Sequence, residues 1–160
     1  MSRKISSRKV EMNNWMPIIF VAAALGCGGG HDHEHGHGHQ APHGGVLVNV
    51  GDEFCHLEFV QEPESNRLQL HVMRFHPKEG PLKISMAQIE VGATTSGEEK
   101  VIVFNPVELD GITATDHPTS LYMAEVDWLK NAPNFNGTVK KLTIEGKLFL
   151  EIAFQFAKPD

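Results

Sequence analysis

Residues His31-Asp32-His33-Glu34-His35-Gly36-His37-Gly38-His39, followed by Gln40-Ala41-Pro42-His43-Gly44-Gly45, hold six of the chain's 10 histidines. A neutral imidazole is a transition-metal ligand at ordinary pH, and histidines on alternate residues of an extended chain project to one side. Any two or three of His31, His33, His35, His37, His39 and His43 can therefore close on one ion. Imidazole with carboxylate suits Zn, Cu and Ni. The alternative is a solvated linker whose histidines hold nothing. An expression tag fits less well, because tags are unbroken histidine runs at a terminus and this run alternates with acids and glycines.

The segment ahead of this tract reads as a secretory signal. Basic Arg3, Lys4, Arg8 and Lys9 precede an apolar run from Trp15 to Gly26, and Cys27 and three glycines follow. That run has about twelve residues, fewer than the roughly twenty a permanent membrane-spanning helix needs. Ala24-Leu25-Gly26-Cys27 resembles the lipobox of bacterial lipoproteins, in which the cysteine thiol carries the lipid. Ala24 and Leu25 depart from the usual residues of that pattern, and ordinary signal cleavage is the alternative. Gly28 rather than an aspartate follows Cys27, as in lipoproteins sorted to the outer membrane. The resemblance implies a periplasm-facing protein of the bacterial cell envelope, held to a membrane through lipid on Cys27. Residues 1–26 would be the signal peptide and 27–45 a flexible His-rich tether, without apolar side chains to form a core.

Composition narrows the function classes. Formal charge is -6, and without residues 1–26 the chain keeps 10 basic and 19 acidic residues, or -9, which argues against nucleic acid as partner and suits cations. With only 2 cysteines, Cys27 and Cys55, a disulfide framework is excluded. No Ser-His-Asp order, Gly-rich phosphate loop, HExxH or CxxC stands out, so the sequence offers no support for an enzyme.

From residue 46 to 160 apolar residues recur in twos and turn residues interrupt them at short intervals, the pattern of an all-β domain. Strands are predicted over 46–50, 54–61, 67–74, 83–92 (broken near Ala87), 100–104, 119–126, 138–145 and 147–156, with a long loop over 105–118 and a helical turn around 128–130. Gly146 joins the last two into a hairpin, and Leu148, Leu150, Ile152, Phe154 and Phe156 should form one core stripe. The expected architecture is a two-sheet antiparallel sandwich, Ig-like in general form, with a barrel as the second choice.

Parity then selects further ligands. Cys55, Leu57 and Phe59 alternate with His56 and Glu58, while Leu68, Leu70 and Val72 alternate with Gln69, His71 and Met73. If the apolar sets face the core, His56, Glu58 and His71 emerge together on the outer face, with His71 opposite His56 or Glu58 according to register. A solvated polar face is the competing reading. Cys55 reads as a small buried hydrophobe, His76 and His117 as turn residues before prolines, and Glu98 and Glu99 as a solvated turn.

Pro42-His43-Gly44-Gly45-Val46, with Gly51-Asp52, His56-Leu57-Glu58 and, more weakly, Ile144-Glu145-Gly146-Lys147, resembles a family of His-rich bacterial lipoproteins. A similar His-Gly-Gly segment occurs near the start of some periplasmic adaptor subunits of heavy-metal efflux systems. The resemblance implies a metal-handling or efflux-associated role and carries over His43, His56 and Glu58 as ligands. The chain lacks the coiled-coil hairpin of a complete adaptor, so a stand-alone accessory protein is the better match. An Ig-like interaction module that binds an envelope protein, its histidines a mere spacer, is the reading from a different class. The lipid claim is checked by Cys27→Ser, which should leave the protein unprocessed or released from the membrane fraction; unaltered processing and membrane association would end it.

Overall fold

The computed structural model describes residues 39–107, 117–131 and 134–157. Cys27, His31, His33, His35 and His37 lie outside them, as does most of the loop expected over 105–118. Among the described residues nine strands alternate with short turns: β1 (Val46–Val50), β2 (Cys55–Gln61), β3 (Arg67–Arg74), β4 (Gly80–Pro81), β5 (Ile89–Thr95), β6 (Glu98–Pro106), β7 (Leu121–Glu125), β8 (Phe135–Ile144) and β9 (Lys147–Phe156). A single 3-10 turn, Asp127–Lys130, stands between β7 and β8 where a helical turn was expected.

The all-β antiparallel class follows from the period-2 alternation, but the strands do not divide into the two separate sheets of an Ig-like sandwich. They hydrogen-bond in one continuous series, β1-β2-β3-β7-β6-β5-β8-β9, with β4 on the side of β3. The series curls until its two ends approach, closer to the barrel alternative. Phe54, beside β2, lies 5.6 Å from Phe149 of β9. A Cβ on Gly51, which has φ of +61°, would lie 2.4 Å from the same Phe149 ring, so glycine serves both the turn and the closure. Across the interior, Phe59 of β2 stacks on Phe154 of β9 at 4.3 Å. Cys55, Leu57, Phe59, Leu68, Leu70 and Val72 are all fully buried in this core, which confirms the parity read for β2 and β3. Burial drives the Cys55 thiol up to about 12, so it stays protonated and packs as a hydrophobe.

The terminal hairpin departs from a simple stripe. Its two-residue turn has Glu145 and Gly146 at φ of 49° and 78°, both positive as a type I′ turn demands. Along β8 the buried positions are Phe135, Gly137 and Val139, then Leu142 and Ile144, so the inward parity changes midway. β9 changes at the same level, where Glu151 has φ of 51°. Pairing stays in step on either side, Val139 with Ile152 and Lys141 with Leu150. A left-handed residue re-aims a strand as a bulge does. In consequence Phe149 takes the inward side, and Leu148 and Leu150, expected in the core, are 55% and 60% exposed.

Gly137 sits directly opposite Phe154, whose ring covers it: an added Cβ would come within 2.2 Å of ring atom Cζ. Because that ring is itself stacked on Phe59, it has nowhere to go without unpacking the interior. Gly137→Ala should therefore cost about 1–3 kcal/mol through overpacking. A lower denaturation midpoint at unchanged slope checks this. A gain of about 0.4–1 kcal/mol, the entropic effect of replacing glycine, would show that the ring swings aside.

Candidate metal centre

The outer face of β2 is covered at His56 and Glu58, and next to it Gln69 and His71 of β3 are half-buried. Residues 39–45, assigned above to the tether, lie against it as a strap that runs directly into β1. The His-Gly-Gly sequence explains how. Gly44 turns the chain at φ of +74°, with its N–H donating to the Ala41 carbonyl at 3.2 Å. Gly45 passes so close over β2 that a Cβ would meet the Phe59 carbonyl oxygen at 2.3 Å. The approach lets the Gly45 N–H donate to Glu58 Oε1 at 3.0 Å, and the His43 N–H donates to the same oxygen at 2.8 Å. His43 Nδ1 lies 2.6 Å from Glu58 Oε2.

Glu58 is wholly buried. A carboxylate removed from water is costly unless its oxygens are satisfied. Burial alone would raise its pKa, but the hydrogen bond and charge of the His43 ring and the N–H groups of Gly45 and His43 outweigh it, and Glu58 titrates below the ordinary 4.5. It is anionic at neutral pH and can only accept. The proton of that contact is therefore on His43 Nδ1, so Nε2 is the ring nitrogen that could hold an ion.

His71 pairs with Glu58 across β2 and β3, and its ring stacks on that of His43 with centroids 3.9 Å apart and planes within 14°. Gln69 fixes its tautomer. The amide nitrogen of Gln69 donates to Glu62 Oε1 at 2.9 Å, so its oxygen faces His71, whose Nε2–H donates to it at 3.0 Å. Burial, with His43 adding to it against Glu58, lowers the His71 pKa, so the ring is neutral at pH 7 and Nδ1 keeps its lone pair.

A second group lies toward the start of β2. His39, Glu53 and His76 each offer a ligand atom, and these atoms all lie within 4.8 Å of one another. His76 Nε2 and Glu53 Oε2 are 3.7 Å apart, near the roughly 3.4 Å between two ligands on one tetrahedral ion with bonds of about 2.1 Å. His39 stacks on Phe75 at 4.2 Å and meets His56 and His76 edge-on at 5.2 and 5.0 Å. His56 is 3% exposed. His56 Nδ1 and His39 Nε2 are both buried without a hydrogen-bond partner. Burial first, then the His39 imidazole, lowers the His56 pKa and keeps that ring neutral.

Of the residues singled out in the sequence, His43, Glu58 and His71 thus converge, as parity and the His-Gly-Gly motif suggested. His56 shares their face but belongs with His39. Glu53 and His76 were missed, His76 having been read as a turn residue. A signal for them existed, since extending the β2–β3 register of His56 with Met73 beyond the strand ends sets Glu53 opposite His76. Compared with protein-family models, with curated proteins and with solved structures, the chain matches none.

Glu58 holds the strap, so Glu58→Ala should accelerate hydrogen exchange at the His43 and Gly45 amides about tenfold or more, at a cost of about 1–3 kcal/mol. Because the folded-state pKa is depressed, this contribution is complete above the unfolded value and fades as pH falls through the folded one, so the native strap should loosen only below about pH 4.5. Amide protection unchanged in the variant, or lost already near neutrality in the native chain, would contradict it.

Proposed function

We propose that this chain is a metal-binding lipoprotein of the bacterial cell envelope. Lipid on Cys27 would hold it to a membrane, the outer one, on the periplasmic side. The His-rich segment and the strap would take up divalent Zn, Cu or Ni, as an accessory to heavy-metal efflux or homeostasis. The observation that carries the metal reading is the meeting of His39, Glu53 and His76 within ligand distance of a common ion. Two unpartnered buried ring nitrogens, His39 Nε2 and His56 Nδ1, support it, because buried polar atoms are otherwise nearly always paired. Two imidazoles and a carboxylate form a borderline donor set suited to those metals, and His56 stands beside them as a fourth donor. The role is binding rather than catalysis.

The alternative reading, an envelope protein-interaction module, draws on Leu148 and Leu150, exposed side by side on β9. Titration with Zn(II) separates the two. The full chain should bind more tightly than one carrying His39→Ala and His76→Ala, by about tenfold or 1.4 kcal/mol for the lost best site. Affinity should fall as pH is lowered, since protons compete for the ligands. Zn(II) binding identical in the two chains would remove the strap site and leave the metal reading to residues 31–37 alone; no binding in either would favour the interaction module.

A further inference from the structure

The His39, Glu53 and His76 site is built from two parts of unlike standing. Glu53 and His76 belong to the body: one lies in the turn before β2, the other just after β3, and the hairpin alone sets their ligand atoms 3.7 Å apart. The Glu53 N–H donates to Asn49 Oδ1 at 2.8 Å, which fixes that turn. His39 comes from the strap. The three-ligand set therefore exists only while the strap is seated.

What seats it is narrow. Gln40, Pro42, His43 and Gly44 are exposed and Ala41 is only half-buried, so the strap contributes little apolar burial beyond the His39 ring on Phe75. Among the described residues its polar hold on β2 is the side chain of Glu58, which takes the N–H groups of His43 and Gly45 and the His43 ring. From there to His39 the chain is short and stiff. The Gly44 N–H bond to the Ala41 carbonyl closes a four-residue turn with Pro42, whose ring fixes φ, in its second position. Only Gln40 separates that turn from His39, so the placing of His43 by Glu58 is passed on to the ligand at the far end.

We propose that Glu58 is a positioning residue of the divalent site, raising its affinity through the strap without touching the ion, since both of its oxygens are taken by the strap. This rests on the metal reading above. An ion that needs His39 binds only the seated strap, so its apparent affinity scales with the seated fraction, and by the same linkage the bound ion must hold the strap down. Metal capture and strap closure are in this way coupled, with Glu58 at one end of the strap and the ion at the other.

The test follows the His76 ring-proton signal of the full chain, assigned by comparison with His76→Ala, during titration with Zn(II), so that ions held by residues 31–37 do not enter the readout. Glu58→Ala should weaken the apparent affinity of that shift by roughly fivefold or more, the low end of the usual coupling between linked sites, and by no more than His39→Ala does. In a chain that already carries His39→Ala, adding Glu58→Ala should change it by no more than about twofold. Glu58→Gln loses the charge but keeps an acceptor for both N–H groups and an amide donor for the His43 ring, and should stay within about threefold of the native chain. Equal affinity in Glu58→Ala, an equal loss with and without His39, or a Glu58→Gln as weak as Glu58→Ala would overturn the proposal. The native chain supplies a check that needs no variant: saturating Zn(II) should slow exchange of the His43 and Gly45 amides about tenfold or more, and unchanged exchange there is incompatible with the coupling. A His76 signal indifferent to Zn(II) would instead remove the divalent site itself, and the proposal with it.

Discussion

The fully buried carboxylate of Glu58 is the constraint on which the outer half of this protein depends. An anion on the covered side of a sheet needs donors, and the sheet has none to give, because the backbone groups of β2 are committed to β1 and β3. The donors come from the strap. Two N–H groups and one imidazole converge on one side chain, and in doing so they fix where β1 begins, which tautomer His43 adopts and which face His39 covers. A single acid thus converts a His-Gly-Gly segment from spacer into part of the fold.

That arrangement makes the two sides of the β2–β3 hairpin unlike. Toward the interior lie Leu57, Phe59, Leu68, Leu70 and Val72, and their packing closes the curled sheet. Toward the strap lie His56, Glu58, His71, Met73 and Phe75, a small second core made of rings, a thioether and one charge. Ring nitrogens left without partners there are the expense of packing histidines where Leu or Val would pack without loss. Such unpaired ring nitrogens are what a metal ion would need there, and on that rests the binding role proposed above.

Much of this could be read from the residues alone. Alternation in 55–59 and 68–72 assigned the inner and outer faces, and composition located β1, β2, β3 and the terminal hairpin closely. The misses share a physical origin. Parity assumes an unbroken pleat, and Glu151 breaks it with a left-handed backbone that only the three-dimensional pairing reveals; hence the error at Leu148 and Leu150. The choice between sandwich and barrel turns on which strands hydrogen-bond at a distance in sequence, such as β3 with β7 and β5 with β8, and alternation is blind to that. His76 was dismissed because the residue before a proline resembles any turn, whereas its neighbours Glu53 and His39 come from remote places in the chain. Gly45 was legible as a glycine but not as the point where one backbone must pass within contact of another.

The order of these contacts along the chain has a mechanical consequence. The strap precedes β1 without a break, so tension entering from the N-terminal side reaches the Glu58 cluster before it reaches the first rung between Val46 and Phe59. Those few bonds act as a fuse. A pull that stripped them would lengthen the chain ahead of β1 by the span of the strap and uncover the histidine face before any rung of the sheet was loaded. Tension on the strap and exposure of the face beneath it would in that sense be one event, governed by the hold of a single carboxylate.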